Sequence, residues 1–413
     1  MSAIKIYNGK LITPSGIIPN GTIVIEDGLI TRVLAGELQV KGATEIDASG
    51  NFVSPGFIDI HIHGGGGHDF MDCDINAFLE IAKTHARYGT TSMMPTTLSC
   101  EPEELNTTLQ LYREAVSKND GGASFIGLHI EGPYFAMNQR GAQDARYIRN
   151  PDPKEYRGIV NEYNDVIKRW SAAPELPGAI EFAHFLKTKN ILPALAHTDA
   201  VYDEVLKGFE AGYILATHLY SGMSSVTRRK AYRFAGVVES AFLIDDMFVE
   251  VIADGCHLPE PLLKLIYKIK GPDKIALITD AMRGAGMPEG ESLLGSRKNG
   301  LKVIIEDGVA KLPDRSSFAG SVATADRLVR TMIQLAGVSV ADAVKMISAT
   351  PAKILGIQQQ KGTLEPGKDA DVVIFDENIN VSTTIVNGKI VYTKTDHSSA
   401  NQQEKYEQSA NIV

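Results

Sequence analysis

The chain has 413 residues, of which 44% are hydrophobic and 22% are charged, a composition typical of a globular protein with a large core. Its 41 lysines and arginines against 50 aspartates and glutamates give a formal net charge of −9, which argues against a protein that coats nucleic acid. No apolar run approaches the roughly 20 residues of a membrane span, and the N-terminus lacks the pattern of a signal peptide. We therefore expect a cytoplasmic protein without nucleic-acid or membrane partners.

The two ends of the chain share a β-strand pattern. Residues 1–53 contain short alternating segments between dipeptides that favour tight turns: Asn8-Gly9, Asn20-Gly21 and Asp27-Gly28. Similar segments return at 370–375 and 384–392. Because neither end has enough strands for a core, we predict one small β-sandwich domain built from residues 1–53 and 359–395. The polar segment 396–413 is predicted to be a loosely ordered tail.

Residues 54–358 alternate between apolar runs that end in polar residues and segments of helical period. Such a β-then-α rhythm predicts parallel strands with crossover helices. Predicted helices lie at 75–88, 102–117, 179–189, 201–211, 259–269, 324–336 and 340–355. There are eight strand candidates, at 57–63, 90–95, 125–131, 166–173, 191–197, 213–218, 248–254 and 275–280. Eight strands close a barrel, so the predicted fold class is α/β, a (β/α)8 TIM-like barrel.

The first predicted barrel strand ends in His61 and His63, followed by a glycine-rich turn at 64–67. Side chains alternate across a strand with a period of two, so both imidazoles point to the same side and can face one metal ion. An isolated His-x-His also fits a plain pair of polar residues at a strand end. Partners elsewhere in the chain must therefore decide between the two interpretations.

Such partners occur at the C-terminal ends of other predicted strands, the face on which barrel enzymes build their active sites. They are Glu131, His197, His218 and Asp280. Imidazoles with carboxylates suit zinc or another late divalent ion such as iron or cobalt, and a bridging glutamate suits a two-ion site. Asp280 is the candidate general acid and base, with a plain metal ligand or an orienting partner of a histidine as its alternative roles.

Other catalytic motifs are missing from the sequence. The glycine run is not followed by the Lys-Ser/Thr of a P-loop, and no Gly-x-Ser-x-Gly provides the nucleophile of a serine hydrolase. The three cysteines show no Cys-x-x-Cys spacing, which argues against a thiolate metal site. The predicted metal site is thus the main chemical signal.

Several motifs together are similar to those of a known family. They are Pro-Gly-Phe-Ile-Asp-Ile-His-Ile-His, Leu-His-Ile-Glu-Gly-Pro, Ala-Thr-His-Leu-Tyr, Ile-Ala-Asp-Gly-x-His, Leu-Ile-Thr-Asp-Ala and Leu-Glu-Pro-Gly-Lys-Asp-Ala-Asp-Val-Val. This set resembles the amidohydrolase superfamily and, within it, the N-acetylglucosamine-6-phosphate deacetylases. The resemblance runs from the N-terminal β segment to about Tyr392. It implies an enzyme that hydrolyses the acetamide of an amino-sugar phosphate.

The resemblance also implies roles for the ligand-type residues. One metal ion is held by Glu131, His197 and His218. His61 and His63 help to hold a second ion, and Asp280 is the general acid and base. The implied cofactor is one or two divalent ions per subunit, zinc before iron, cobalt or manganese.

For the substrate, the resemblance implies contacts from Ser221, Gly222, His257 and either Arg229 or Arg228. In the family this arginine often reaches the ligand of the neighbouring subunit, which implies a homodimer. From the residues alone, 227–233 is a dense cationic patch that suits phosphate, with a solvated helix start as the alternative.

The sequence departs from the family at two places. Ser221-Gly222 stands where many members have Asn-Ala, and Gln143 stands where many have a histidine that approaches the amide carbonyl. These changes leave open a deacetylase of another sugar, such as N-acetylgalactosamine 6-phosphate. A cyclic-amide hydrolase and a catalytically dead barrel scaffold are the further alternatives.

Overall fold

The N-terminal segment forms long antiparallel strands. The computed structural model describes residues 3–394, so the predicted tail at 396–413 lies outside the described residues. Asp27-Gly28 forms the predicted hairpin turn, but Asn8 and Asn20 lie inside strands with positive φ, where the chain continues instead of turning. The strands are β1 Ile4–Thr13, β2 Gly16–Glu26, β3 Leu29–Ala35, β4 Thr44–Asp47 and β5 Phe52–Pro55.

The middle of the chain contains the barrel strands and several short accessory strands. The first six are β6 Phe57–Ile62, β7 Gly64–Gly65, β8 His68–Asp69, β9 Thr90–Pro95, β10 Ser124–Phe125 and β11 Leu128–Glu131. They are followed by β12 Ile167–Ala172, β13 Leu192–Leu195, β14 Leu215–Ala216, β15 Thr227–Arg229, β16 Tyr232–Phe234, β17 Phe248–Val251 and β18 Ile275–Leu277.

Ten α-helices surround these strands in the described part of the chain. They are α1 Ile75–Ala86, α2 Pro102–Lys118, α3 Pro153–Tyr163, α4 Ala179–Thr188, α5 Tyr202–Ala211, α6 Val237–Leu243, α7 Glu260–Lys270, α8 Ala325–Gln334, α9 Val340–Ile347 and α10 Ala349–Ile354. Among residues 3–394, no helix is both long and apolar enough to cross a membrane.

Eight parallel strands, β6, β9, β11, β12, β13, β14, β17 and β18, form the barrel. A bridge between Thr96 and His129 joins β9 to β11, and the Asp280 backbone N–H donates to the His61 carbonyl at 3.0 Å where the last strand meets the first. Apolar side chains between strands and helices form the main core. The predicted (β/α)8 barrel is confirmed.

Some element boundaries differ from the prediction. The strand predicted at 125–131 is interrupted at Gly127, whose φ is +120°. The helix predicted at 340–355 is two helices, because Pro351 lacks a backbone N–H and fits only the first turn of a new helix. Two helices, α3 and α6, were not predicted.

A four-stranded antiparallel sheet between β18 and α8 was also missed. It consists of β19 Gly290–Leu294, β20 Leu301–Glu306, β21 Val309–Lys311 and β22 Phe318–Ser321, around a small apolar cluster of its own. Asp307-Gly308, with positive φ at both residues, turns β20 into β21. An Asp-Gly between two apolar segments was the sequence signal for this hairpin.

The last strands are β23 Val372–Phe375, β24 Val381–Val386 and β25 Lys389–Thr393. They join β1 to β5 in one eight-stranded sheet, in which β23 pairs with β5. A buried cluster that includes Ile6, Val53 and Val372 packs on it. Strands from both termini therefore share a sheet, as predicted, while the domain boundaries at residues 53 and 359 stay a prediction.

Candidate metal centre and active site

The C-terminal ends of the barrel strands bring the six ligand-type residues together. His61 lies in β6 and His63 directly after it, and Glu131 is the last residue of β11. The other three follow β13, β14 and β18 within three residues: His197, His218 and Asp280. None of the six is more than 8% exposed. Parallel strands that point the same way thus place residues from distant parts of the sequence on one rim.

Glu131 lies at the centre of this group. Its Oε1 is 3.1 Å from His218 Nε2, 3.4 Å from His197 Nε2 and 3.5 Å from His61 Nε2. Its Oε2 is 3.5 Å from His63 Nε2. One carboxylate therefore faces four imidazoles, so Glu131 would contribute to holding any divalent ion bound among them.

Two overlapping groups have ligand atoms close enough to hold an ion: His61, His63 and Asp280, and His61, Glu131 and His218. Asp280 Oδ1 lies 3.1 Å from His63 Nε2 and 3.5 Å from His61 Nε2. The buried His61 Nε2 has no hydrogen-bond partner, an arrangement that costs free energy unless an ion binds there. The residues present thus fit a divalent metal site.

In three of the histidines, the ring nitrogen Nδ1 donates a hydrogen bond to a carbonyl or carboxylate oxygen. His197 Nδ1 donates to the Gln139 carbonyl at 2.7 Å and His218 Nδ1 donates to the Ser221 carbonyl at 3.1 Å. His61 Nδ1 donates to Glu250 Oε2 at 3.2 Å. Because each Nδ1 carries the proton, each Nε2 can offer its lone pair to a metal ion.

The backbone is strained at three of these positions. His197, His218 and Asp280 have φ values of +46°, +32° and +48°, a region that residues with a side chain rarely adopt. Such strain persists only where the surrounding structure imposes it, and it is concentrated at functional sites. The unusual backbone at these three strand ends therefore serves to place the side chains of the site.

Negative charge dominates the electrostatics of the site. Burial lowers the pKa of His61, but the carboxylates of Glu131, Glu250 and Asp280 outweigh it and raise that pKa to about 10. Burial raises the pKa of Asp280, but the hydrogen bond with His63 and the charges of His61 and His63 hold it below its ordinary value. Carboxylates that hold a proton on an imidazole this strongly also attract a divalent cation.

A cavity opens above the ligand-type residues, and four of the six predicted substrate residues form part of its wall. They are Ser221, Gly222, Gln143 and His257. The four-stranded sheet of β19 to β22, here called the inserted sheet, also contributes to the wall, for example through Phe318. Gln143 Nε2 donates to Glu131 Oε2 at 2.8 Å, and its Oε1 accepts from the Ser99 N–H at 2.9 Å. An amide NH2 has two hydrogens, so Gln143 retains a donor for a substrate oxygen.

Gly222 closely supports His197. Its φ is +57°, and an added Cβ would lie 2.6 Å from His197 Nδ1 and 2.9 Å from the Gln139 carbonyl oxygen. A residue with a side chain would therefore collide with the hydrogen bond that orients His197. Gly222 thus contacts the ligand-type residue His197 and also lies on the cavity wall.

His257 is oriented by Asp254. Its Nδ1 donates to Asp254 Oδ2 at 2.7 Å, and the same oxygen accepts from Ser321 Oγ at 3.0 Å. The His257 ring packs against Phe318 at a centroid distance of 4.7 Å. Its Nε2 is thus the ring nitrogen left for a ligand in the cavity.

The two arginines predicted to bind the substrate phosphate do not lie at the cavity. Arg228 and Arg229 are exposed on the β15–β16 hairpin and are not among the described residues that line the cavity. The alternative of a solvated helix start is wrong, because Lys230 and Ala231 both have positive φ and make a hairpin turn.

Sequence reasoning missed a polar network inside the barrel. Fully buried Glu250 and Arg169 form an ion pair below His61, and Asp59 accepts hydrogen bonds from Thr279. Burial raises the pKa of Asp59 to about 7. The available signal was a charged residue within an apolar strand, such as Glu250 in Phe-Val-Glu-Val-Ile.

A (β/α)8 barrel with imidazoles and carboxylates gathered at its C-terminal rim is the architecture of a metal-dependent hydrolase. Residues 52–391 match the model of the amidohydrolase family. The chain belongs to the amidohydrolase family, as predicted, and is a hydrolase.

Relatives of the chain agree with this assignment. It is 33% identical to the N-acetylglucosamine-6-phosphate deacetylase of Lysinibacillus sphaericus, over 94% of this chain and 97% of that protein. It is 31% identical to the N-acetylgalactosamine-6-phosphate deacetylase of Escherichia coli O157:H7, over 92% and 97%. The crystal structure of N-acetylglucosamine-6-phosphate deacetylase from Pasteurella multocida superposes with a TM-score of 0.88 at 28% identity, covering 95% of this chain and all of that one.

Proposed function

We propose that the chain hydrolyses the acetamide of N-acetylglucosamine 6-phosphate to give glucosamine 6-phosphate and acetate. The observation that carries this proposal is the position of Glu131 among four imidazoles, with Asp280 beside them, at the base of a cavity lined by Gln143 and His257. Relatives that share about a third of the sequence over nearly the full length carry the same name.

The metal assignment is part of the proposal. We infer two ions per subunit. The first is held by Glu131, His197 and His218, and His61 and His63 help to hold the second. Zinc suits this ligand set, with iron, cobalt and manganese as alternatives. When bound, such ions polarise the amide carbonyl and acidify water.

The residues of the chain supply the proton transfers. The pKa of Asp280 lies below its ordinary value, so its carboxylate is ionised at neutral pH and can accept the proton of the attacking water. Protonated Asp280 then gives that proton to the sugar nitrogen as the C–N bond breaks, and acetate and the free amine leave. Gln143 donates its remaining N–H to the substrate, and His257 binds it through Nε2.

The phosphate site requires a second subunit in this proposal. The hairpin that carries Arg228 and Arg229 also exposes the large apolar side chains of Tyr232 and Phe234, and Val226 just before it is exposed as well. Exposed aromatic residues beside arginines are typical of protein interfaces. We infer a homodimer in which Arg229, or its neighbour Arg228, reaches the phosphate in the partner's cavity. The cytoplasmic location stays a prediction.

Acetate release tests the proposed reaction. The assay compares N-acetylglucosamine 6-phosphate with its unphosphorylated sugar and with N-acetylgalactosamine 6-phosphate, with zinc, iron or no added metal. We expect strong preference for the phosphorylated glucosamine derivative. Absence of acetate release from all three sugars by protein loaded with metal would contradict the proposal.

A second candidate is deacetylation of N-acetylgalactosamine 6-phosphate. It is favoured by Ser221 and Gln143 on the cavity wall, where the sequence departs from the family pattern. Preference for the galactosamine derivative in the same assay would select it and leave the metal chemistry unchanged. A cyclic-amide hydrolase would instead release no acetate.

A further inference from the structure

The interior of the barrel below the metal site is charged. TIM barrels usually fill this space with branched apolar side chains. Here Arg169 of β12 and Glu250 of β17 form an ion pair between side chains that are both 0% exposed. A buried ion pair gives little net stability compared with apolar residues of similar size, because both charges lose their hydration. Its presence inside the barrel therefore requires another explanation.

The contacts of Glu250 supply one. Its Oε2 accepts from His61 Nδ1 at 3.2 Å and from the His218 backbone N–H at 3.2 Å, while its Oε1 accepts from Arg169. One buried carboxylate thus contacts residues of both proposed ion sites. It is also the sole acceptor for His61 Nδ1 among the hydrogen bonds of the described residues.

Arg169 fixes this carboxylate in place. Besides Glu250, Arg169 donates to the Ile60 carbonyl at 3.2 Å and to Thr217 Oγ1 at 2.7 Å. Ile60 immediately precedes His61, and Thr217 immediately precedes His218. The guanidinium therefore ties Glu250 to the two strands that carry these histidines.

We propose that Glu250, held by Arg169, is a positioning residue that keeps the proton on His61 Nδ1 and so makes His61 Nε2 a ligand of the second metal ion. This inference rests on the proposed two-ion function. The buried His61 Nε2 without a hydrogen-bond partner is the atom that would receive the ion. His218 depends less on Glu250, since its Nδ1 donates to the Ser221 carbonyl.

The test uses zinc binding as its readout. Metal-depleted parent chain, E250Q and the double variant R169M/E250L are titrated with zinc against a chromophoric chelator, and bound zinc is counted after gel filtration. We expect the affinity for the second ion to fall about tenfold to a hundredfold in both variants, as for other residues that orient metal-binding histidines. The first ion should bind as in the parent chain.

The double variant distinguishes loss of the Glu250 contact from misfolding caused by an unpaired buried charge. E250Q leaves the Arg169 charge buried without a carboxylate, whereas R169M/E250L replaces both charges by apolar side chains of similar volume, which buried sites often tolerate. Circular dichroism and the thermal midpoint verify the fold. D254N is the matched control, because Asp254 orients His257 through the same kind of contact outside the ligand group. Its zinc content should not change.

Several results would overturn the inference. Two ions bound as tightly in both variants as in the parent chain would remove the positioning role of Glu250 but leave the proposed reaction intact. A parent chain that binds a single ion would also overturn it, because the second site would not exist. A parent chain that binds zinc but releases no acetate would contradict the proposed reaction without affecting this test.

Discussion

The left-handed backbone at Asp280 decides how this residue can be tested. Its φ of +48° is tolerated by Asp and Asn better than by other residues with a side chain. Asn also has nearly the same shape as Asp but cannot take up a proton at neutral pH. Asp280→Asn therefore separates proton transfer from folding more cleanly than Asp280→Ala.

We expect Asp280→Asn to lower kcat by about a hundredfold or more, the usual contribution of a general acid and base. Zinc content and thermal midpoint should stay close to those of the parent chain, because Glu131 and the four histidines remain. Steady-state acetate release and metal analysis measure both. Near-normal turnover would remove Asp280 from the proposed role.

Among the elements, the β15–β16 hairpin is distinguished by its charge. Arg228 lies directly opposite Arg233 in the strand register, and like charges at such positions destabilise a hairpin. Arg228 and Arg233 are both exposed, and within residues 3–394 neither forms an ion pair with a carboxylate. An anion bound from outside, such as a sugar phosphate, would relieve the repulsion.

For this hairpin we expect Arg229→Ala to raise KM for the phosphorylated sugar about tenfold or more, since a hydrogen bond between charged groups contributes roughly 1.5–3 kcal/mol. KM for the unphosphorylated sugar should change much less. Arg228→Ala is measured in parallel because either arginine is a candidate.

Arg113→Ala, which removes a surface arginine of α2 that pairs with Asp165, is the control and should leave KM unchanged. Sedimentation velocity reports whether the chain is a dimer. Equal effects of Arg229→Ala on both sugars would contradict a phosphate contact, and a monomer with full activity would contradict the contact between subunits.

At the scale of the whole molecule, the site joins strands that are far apart in sequence. His61 and Asp280 are separated by more than 200 residues, yet their side chains lie 3.5 Å apart at the junction of the first and last barrel strands. An ion bound between them would therefore link the first and last strands of the barrel. A ligand that binds only the folded state also stabilises that state.

Zinc should accordingly raise the thermal midpoint of the metal-depleted chain. The stabilisation is about 2.7 kcal/mol when free zinc reaches a hundred times its Kd, and it grows with concentration. Differential scanning calorimetry over a zinc series measures the shift. Glu131→Gln, which removes the central carboxylate, is the control and should show a much smaller shift. A midpoint independent of zinc in the parent chain would contradict the metal site.

Much of this molecule could be predicted from local sequence patterns. Alternating apolar and helical segments predicted the barrel, and short alternating segments at both ends predicted the shared sheet. The six ligand-type residues were found because side chains at the ends of parallel strands must meet on one rim, whatever fills the rest of the barrel. The inserted sheet at 290–321 was missed although Asp307-Gly308 signals its hairpin.

Only the tertiary structure decided which residues orient the site. Glu250 and Arg169 meet across the barrel interior, and Gly222 touches His197, because strand order and register bring them together. The exposed position of Arg228 and Arg229 is likewise a result of the folded hairpin. Such contacts between residues distant in sequence leave no local periodicity, whereas strand direction and side-chain alternation are properties of each segment by itself.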